Sequence, residues 1–304
     1  MNNTNNIIHR SPLFYVGDKY KLMAEIKTYL PDKISTFIEP FVGGGSVFMN
    51  VEADNYILND VNYDVISLHK FLCSYRINPD AFFNELFSLI DTYNLSCSYK
   101  RDDIPAELKK KYVKTYFAKY NKDAFYKLRD DYNLNHREDC LYLYTLLIYG
   151  FNRMIRFNSK GDYNLPVGNV DFNGNTYNAL VDYFSIVKEK NIIWHNQDFV
   201  DLFKTINITK NDLVYLDPPY LITFSEYNKL WNETTEQKLL DLLDELDNKH
   251  IRFAISNVTH YKGKENTLFI SWMQKYNVHS IKSNYISYHD NTVKSFNEVL
   301  VTNY

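Results

Sequence analysis

The feature that most restricts how this chain can fold is a short apolar run that ends in an acid and two prolines. The run, Leu213–Leu216, is followed by Asp217, Pro218, Pro219 and Tyr220. A run this short, containing a β-branched and an aromatic residue, is typical of a buried strand. Proline has no backbone N–H for a sheet ladder, so the strand must leave the sheet at Pro218. The sequence therefore predicts a buried strand with a carboxylate and a rigid elbow at its carboxyl end.

The rest of the chain alternates apolar runs with amphipathic stretches, except over one long block. Residues 76–150 carry helical periodicity only, and residues 151–175 are rich in Gly and Asn, which is typical of an exposed hairpin. Alternating strands and helices indicate an α/β fold, with a mostly parallel twisted sheet and helices on both faces. We therefore predict one domain of residues 1–75 and 176–304, interrupted by an inserted helical domain of residues 76–175 with a β-hairpin.

Local patterns place the individual elements. A helix is predicted from Asp18 until Pro31 stops it, and an amphipathic helix over residues 233–246. Another helix is predicted to turn Val61, Val65, Leu68 and Leu72 inward. The predicted strands are residues 56–58, 192–194, 213–216, 252–256, 278–281 and 298–302.

Composition restricts the class of protein. The chain has 304 residues, is 45% hydrophobic and 23% charged, and has no apolar run of the ~18 residues that a membrane span needs. Its polar, Asn-rich start lacks the apolar core of a signal peptide, and we expect it to be frayed. Cys73, Cys97 and Cys140 form no Cys-x-x-Cys pair, so we expect a reducing compartment, no disulfide and no metal site.

Residues 100–129 form a candidate surface for a polyanion. The net charge of −3 supplies no overall field for such a partner. This stretch, however, contains ten Lys or Arg against four Asp or Glu, interleaved with Tyr and Phe. It is either a solvated helical face above core aromatics or a nucleic-acid surface.

Three consecutive glycines lie in the segment EPFVGGGSVF, residues 39–48, where a first strand is predicted to turn into a helix. Glycine permits a tight turn and close approach of a ligand, and a helix start offers free N–H groups. The spacing of Gly43, Gly44 and Gly45 differs from the dinucleotide pattern Gly-x-Gly-x-x-Gly. Asp60 follows the next strand, where a carboxylate can accept ribose hydroxyls. An adenosine with a short cationic tail, such as S-adenosylmethionine (AdoMet), suits this loop.

The Asp-Pro-Pro-Tyr segment suits an exocyclic amino group. The carboxylate of Asp217 and a proline carbonyl form a pair of acceptors for its two hydrogens, and the Tyr220 ring offers a surface for a base. Holding an amino nitrogen this way aims its lone pair at a methyl donor. Catalysis would then come from positioning and electrostatics.

DPPY together with EPFVGGGSVF resembles the Dam-type family of DNA adenine-N6 methyltransferases (D12 class, alpha group), with a particular likeness to the Dam enzymes of T-even phages. The resemblance runs over most of the chain. The other matching segments are YVGDK (15–19), LNDVNYDVISLH (58–69), FYKLRDDYN (125–133), GFNRMIRFNSKGDYNLPVG (150–168), DPPYLITFSEYNKLW (217–231) and SNVTHYKGKENTLFISWMQKYNV (256–278).

The resemblance implies a Rossmann-like, AdoMet-dependent methyltransferase fold that methylates N6 of a flipped-out adenine in double-stranded DNA, at GATC or a related short site. It implies a monomer or weak dimer on DNA, in a bacterial or phage-infected cytoplasm, without membrane or metal. The implied cofactor set is Tyr15, Lys19, Glu39, Phe41, Gly43, Gly45, Asp60, Asp198, Phe199 and Asp217. The implied catalytic set is Asp217, Pro218 and Tyr220. The DNA-binding set of the hairpin is Phe151, Asn152, Arg153, Met154, Arg156, Lys160 and Pro166.

One departure from the family pattern concerns the DNA sequence that is read. In Dam-type enzymes that read GATC, the segment after the hairpin carries an arginine that contacts a guanine. Here Asn169 and Val170 stand at that place. Because an arginine fork on guanine is a strong base contact, either Arg153 or Arg156 compensates for it, or the target differs from GATC.

Other classes of protein fit less well. A cytosine-C5 methyltransferase needs a cysteine nucleophile, typically after proline, and none of the three cysteines follows one. Cytosine-N4 enzymes usually begin the tetrapeptide with Ser and protein-glutamine enzymes with Asn, whereas Asp217 favours adenine. Cytosine-N4 methylation stays open as an alternative, as does a non-catalytic DNA-binding protein on the same fold. A methyl-transfer assay and AdoMet binding separate the latter from an enzyme.

Overall fold

The strands form one eight-stranded sheet in a computed structural model that describes residues 7–223, 231–281 and 297–304. The strands are β1 (Thr36–Glu39), β2 (Asn55–Asn59), β3 (Ile192–His195), β4 (Leu213–Leu216), β5 (Arg252–Tyr261), β6 (Lys264–Glu265), β7 (Asn277–Ile281) and β8 (Asn297–Thr302). Their order is β3-β2-β1-β4-β5-β8-β7, with β6 beside β5. Every strand predicted from the sequence is present, although β5 extends five residues beyond its predicted end at Ser256.

The sheet is mostly parallel, as predicted. β1 pairs in parallel with both β2 and β4, and the parallel arrangement continues to β3 and β5. The last strand, β8, inserts antiparallel between β5 and β7. The strand order therefore changes direction beside β1, and a crevice opens where β1 and β4 end. Open α/β sheets bind ligands at such a switch point.

Helices cover both faces of the sheet. They are α1 (Met23–Ile26), α2 (Tyr63–Ser74), α3 (Pro79–Thr92), α4 (Ala106–Lys111), α5 (Tyr116–Asn135), α6 (Cys140–Tyr149), α7 (Gly174–Glu189), α8 (Phe199–Thr205), α9 (Glu233–Asn248) and α10 (Thr267–Trp272). Alternate residues of one strand enter opposite cores: Tyr215 packs in the cluster with α2, α3, α6 and α7, and Val214 in the cluster with α9 and α10. No helix in the described part of the chain is both long and apolar enough to cross a membrane.

Two helix predictions need correction. Val61 is exposed and precedes α2, because the Asn62 side chain accepts the N–H groups of Asp64 and Val65 and caps the helix there. The helix expected after the glycine loop is only a 3-10 turn, Phe48–Asn50. The segment before that turn forms no regular helix, since Gly43 and Gly45 have left-handed backbone angles, φ +45° and +80°.

The predicted helix between Asp18 and Pro31 is broken into short pieces. Two 3-10 turns, Tyr20–Leu22 and Lys27–Tyr29, flank α1, and the last ends before Pro31. The amphipathic helix predicted over residues 233–246 is α9, which begins after the capping residue Asn232. Both helices lie where they were predicted. The prediction of one continuous helix between Asp18 and Pro31, however, is wrong.

The block of residues 76–150 is helical, as predicted, and comprises α3 to α6. Most of its buried apolar side chains belong to the same hydrophobic cluster as Phe37 of β1, Tyr56 and Leu58 of β2, and the buried face of α2. The block therefore packs against one face of the sheet through a continuous core. A boundary between two domains at residues 75 and 176 stays a prediction.

Residues 150–168 reverse direction through isolated antiparallel bridges, Gly150 with Val167 and Phe157 with Tyr163, and not through two regular strands. Gly161 forms the turn with φ +78°. Asn152 and Arg153 also have positive φ, which interrupts extended backbone at the start of the segment. The chain therefore reverses direction as a hairpin does, but without a continuous ladder of backbone hydrogen bonds. Residues 1–6, at the start of the chain that was expected to be frayed, and the polar segment of residues 282–296 lie outside the described residues.

Candidate active site

A cavity of about 840 Å³ opens where β1, β2 and β4 end. Every residue of the predicted cofactor and catalytic sets lines it. They come from separate parts of the chain, but the parallel strands bring their carboxyl ends to one edge. The sequence missed other lining residues, among them Ser46, Gln197, Thr223, Trp231 and Thr235. The roles of the predicted residues stay predictions, while their common location is a feature of the fold.

An ion pair between a buried lysine and a partly exposed aspartate lines the cavity. The Lys19 side chain is 3% exposed, and its Nζ lies 2.6 Å from Asp217 Oδ2. Burial opposes the charged form, yet the carboxylates of Asp217 and Glu298 hold the pKa of Lys19 well above its usual value. Nζ also donates a hydrogen bond of 3.3 Å to the Gly17 carbonyl. Lys19 therefore stays charged and fixes one oxygen of Asp217.

The other oxygen of Asp217 faces Tyr220. The Tyr220 hydroxyl donates to Asp217 Oδ1 at 2.9 Å and lies 3.0 Å from Glu298 Oε1. Burial and the nearby Asp217 carboxylate raise the pKa of Tyr220 well above its usual value, so the phenol keeps its proton. Asp217 and Tyr220, two of the residues predicted to be catalytic, are thus held by hydrogen bonds in a defined arrangement.

The glycine loop is tied to Asp60. Gly43 N donates to Asp60 Oδ2 and Asn62 N to Asp60 Oδ1, each at 2.9 Å. Burial raises the pKa of Asp60. A side chain in the loop would collide with its surroundings, because a Cβ on Gly44 would lie 2.6 Å from Tyr15 Cβ. The backbone of the loop therefore lies so close to Tyr15 that Gly44 has no room for a side chain.

His69, which the sequence analysis missed, holds the loop from behind. Its Nε2 lies 2.9 Å from the Gly43 carbonyl, and its ring stacks on Trp194 with 4.9 Å between centroids. Burial lowers the pKa of His69 to about 4, so the ring is neutral near pH 7. Nε2 then donates to the carbonyl. The only sequence signal was its place four residues after Val65, on the buried face of α2.

Two buried glutamates surround the ion pair. Glu39 accepts a hydrogen bond from Phe48 N at 3.2 Å, and burial together with Asp217 raises its pKa well above the usual value. Glu298, on β8, lies behind Lys19 and Tyr220 and does not line the cavity. The sequence predicted Glu39 but not Glu298. An acid at the start of the apolar run Val299–Val301 was the one signal for it.

Three aromatic rings close one side of the cavity. The Phe41 ring lies 5.5 Å from Phe199 and 5.7 Å from Trp231, measured between centroids. Asp198 caps α8 by accepting a hydrogen bond of 2.8 Å from Val200 N. These three rings can hold a planar apolar group such as a base.

The predicted DNA-binding set lies outside the cavity and is mixed in character. The Arg153 guanidinium stacks 3.8 Å from the centre of the Phe14 ring and donates to Thr176 Oγ1 at 3.2 Å. Burial lowers the pKa of Arg153 to about 10. Arg156 donates to Asn164 Oδ1 at 2.8 Å, and Met154 packs against the core. The exposed members are Phe151, Asn152, Lys160 and Pro166.

Asn169, at the place of the expected arginine, ties two parts of the chain together. Its amide donates to the Lys114 carbonyl, and its oxygen accepts from Ala118 N at 3.3 Å. It therefore braces the first turn of α5, whose own N-cap residue makes no side-chain cap. Within residues 7–223, 231–281 and 297–304, no group of three or more His, Cys, Asp or Glu could hold a metal ion.

Comparisons with known proteins agree with the resemblance seen in the sequence. The model of the D12 class N6 adenine-specific DNA methyltransferase family matches residues 15–286. The chain is 36% identical over 310 residues to the type II methyltransferase M.FokI of Planomicrobium okeanokoites, covering 99% of this chain and 44% of that protein. It is 35% identical over 306 residues to modification methylase StsI of Streptococcus sanguinis, covering 97% and 43%. The DNA adenine methylase of Escherichia coli K12 is 27% identical over 303 residues, covering 96% and 94%. The chain thus spans less than half the length of the first two relatives.

Proposed function

The chain belongs to the D12 class family of N6 adenine-specific DNA methyltransferases, and we propose that it transfers the methyl group of AdoMet to N6 of an adenine at a short site in double-stranded DNA. The observation that carries the proposal is the cavity in which the Asp-Pro-Pro-Tyr segment faces the glycine loop and Asp60. Two relatives are named as modification methylases or type II methyltransferases. These names support methylation restricted to a specific DNA site.

The cavity suits AdoMet as the methyl donor. Its volume of about 840 Å³ lies in the range of small-molecule sites. Ser46 Oγ is buried beside the glycine loop and has no hydrogen-bond partner among the described residues, so it is available to a ligand. Asp60 would accept ribose hydroxyls, and Phe41 and Phe199 would pack against the adenine. When bound, AdoMet supplies a methyl group on a sulfonium, which a neutral amino nitrogen can attack.

The target adenine would be held by the Asp-Pro-Pro-Tyr segment. Asp217 Oδ1 and the Pro218 carbonyl would accept the two N6 hydrogens and direct the nitrogen lone pair towards the methyl group. The Tyr220 ring would face the base. Because N6 of a paired adenine cannot reach an enclosed site, we propose that the base is extruded from the duplex.

The DNA surface would be formed by residues 76–175, acting as a recognition region. Lys110, Lys111 and Lys114 are exposed at the end of α4 and just beyond it. Exposed lysines of this kind grip phosphates without reading sequence. Phe151 and Pro166 are exposed next to each other in the chain reversal of residues 150–168, where Phe151 N donates to the Pro166 carbonyl, and they would contact the opened base step. Together these groups offer charge for the backbone and apolar contact for an unstacked base.

The direct test is methylation of random-sequence duplex DNA with labelled AdoMet, followed by mapping of N6-methyladenine. We expect label on adenine in one short sequence context. Asp217→Ala serves as the inactive control, since it removes the carboxylate that would accept an N6 hydrogen. Label on cytosine, or no label with a folded protein that binds AdoMet, would overturn the proposal.

A further inference from the structure

Glu298 is a buried carboxyl whose contacts do not explain it as a stabilising residue. It is 2% exposed, and Oε1 lies 3.0 Å from the Tyr220 hydroxyl and 3.5 Å from Lys19 Nζ. Oε2 has no hydrogen-bond partner among the described residues. A buried oxygen without a partner costs free energy, so a residue kept only for stability would not be expected to leave one.

The Tyr220 hydroxyl has one hydrogen and two acceptors within reach. Asp217 Oδ1 lies at 2.9 Å and Glu298 Oε1 at 3.0 Å. A phenol donates one hydrogen bond at a time, so these two contacts are alternatives whenever both carboxyl oxygens act as acceptors.

Both oxygens of Asp217 have donors in the arrangement described. Lys19 occupies Oδ2 at 2.6 Å, and Tyr220 donates to Oδ1. An incoming amino group must therefore share Oδ1 with the phenol or displace it. Displacement leaves a hydroxyl hydrogen inside a protein, where losing its acceptor costs free energy. The second acceptor, Glu298 Oε1, is already within hydrogen-bond distance.

We propose that Glu298 is a positioning residue that accepts the Tyr220 hydrogen bond when the target amino group occupies Asp217 Oδ1. This inference rests on the proposed function. The hydroxyl hydrogen rotates about the bond from the ring to Oη, no proton leaves Tyr220, and no covalent bond changes. Lys19 stays on Oδ2 throughout. Glu298 thus acts on the substrate only through Tyr220 and keeps Asp217 free to change partner.

The surroundings of Glu298 suit an acceptor. Lys19 supplies a positive charge beside Oε1, which favours an acceptor oxygen there. Burial raises the pKa of Glu298, and Lys19 opposes that rise. In either protonation state Oε1 can accept, since a proton on Oε2 leaves Oε1 a carbonyl oxygen. The position therefore calls for a carboxyl or a carboxamide, and an apolar side chain cannot replace it.

The test compares Glu298→Gln and Glu298→Leu in the wild-type and Tyr220→Phe backgrounds. The measurement is the single-turnover methylation rate with AdoMet and the mapped duplex both saturating. We expect Glu298→Leu to slow transfer by about tenfold or more, the scale of one hydrogen bond to a charged group, and Glu298→Gln to restore most of the rate. In Tyr220→Phe there is no hydroxyl to redirect, so the additional loss from Glu298→Leu should shrink to about twofold or less.

Thr302→Val is the matched control for the strand, because Thr302 is buried on β8 and its hydroxyl lies 3.3 Å from the Tyr304 carbonyl and 3.3 Å from His279 Nε2. It should leave the rate unchanged. Equal losses from Glu298→Leu with and without the Tyr220 hydroxyl, or no loss at all, would overturn the inference. If the wild-type chain does not methylate adenine, the proposed function fails with it, whereas methylation without coupling removes the inference alone.

Discussion

The wall of the cavity, which here means all the residues that line it, and the segment of residues 150–168 both carry clear sequence motifs. Their backbones, however, are built differently. In the wall, Asp60 and Asp217 follow neighbouring parts of a parallel sheet, so regular backbone brings them to one edge. In the segment, Arg153 and Arg156 lie on irregular backbone, and both donate hydrogen bonds within the protein. Regular backbone therefore fixes where a site residue lies, while on irregular backbone the partner of a side chain depends on distant packing.

The largest expected effect is at Asp217, where the wall is most directly linked to chemistry. Asp217→Ala removes the acceptor for the target amino group, so we expect methyl transfer to fall by about a hundredfold or more, the scale for losing one preorganised group. It also leaves Lys19 buried without its closest anion, so some loss of AdoMet affinity is expected. Transfer assays with circular dichroism of the same samples measure both. Asp201→Ala, an exposed acid of α8, should behave as wild type; near-wild-type turnover in Asp217→Ala would break the assignment of the wall.

The sequence predicted the wall because each residue follows a local signal. The two prolines after Asp217 indicate its place at a strand end, and the polar end of an apolar run indicates that of Asp60. For Glu298 and His69 the local signal is too weak to indicate a role, since their partners Lys19 and Gly43 lie far away in the chain and meet them only in the folded core. Residues that support a site are therefore harder to predict than residues that line it.

The same limit explains the segment of residues 150–168. The sequence shows that Arg153 is a cation on a turn, but not that Phe14 offers its ring from the other end of the chain. It shows three glycines after β1, but not that the left-handed angles of Gly43 and Gly45 replace a helix start with a 3-10 turn. Local pattern identifies such residues and leaves their contacts open.

His69, which supports the glycine loop of the wall, makes the stability of the protein depend on pH. Its pKa falls from 6.5 to about 4 on folding, so the unfolded chain binds the proton first as the pH decreases. Stability is fully present above pH 6.5 and is lost as the pH falls from 6.5 towards 4, by about 3 kcal/mol. His69→Gln keeps a donor but does not titrate. The difference in unfolding free energy between wild type and His69→Gln, measured by urea unfolding across this range, isolates the effect, and a difference independent of pH contradicts it.

Asp60 sharpens the comparison from the side of the cofactor. Asp60→Ala should weaken AdoMet by about 1.5–3 kcal/mol, the scale of hydrogen bonds to a charged group, with little change in DNA affinity. The same change releases Gly43 N and Asn62 N, so Asp60→Asn, which keeps an acceptor oxygen, should lose less. Calorimetry with AdoMet and a filter-binding assay with DNA measure the two affinities. Unchanged AdoMet binding in Asp60→Ala would leave this strand end without a role in the cofactor site.

The smallest effects are expected in the segment of residues 150–168, where Arg156 and Lys160 form a matched pair. Arg156 is half-buried against Asn164, whereas Lys160 is exposed near the Gly161 turn. If Arg156 leaves Asn164 to contact a guanine, Arg156→Ala should cost about 1–3 kcal/mol and only on the cognate site, because the lost contact is to one base. Lys160→Ala should weaken all duplexes equally and reduce the salt slope by about one, as expected for a lost phosphate contact. Affinities on cognate and single-substituted duplexes at two salt concentrations separate these outcomes. Uniform weakening by both variants would mean that base discrimination lies outside this segment, since a cation that reads a base cannot weaken every sequence alike.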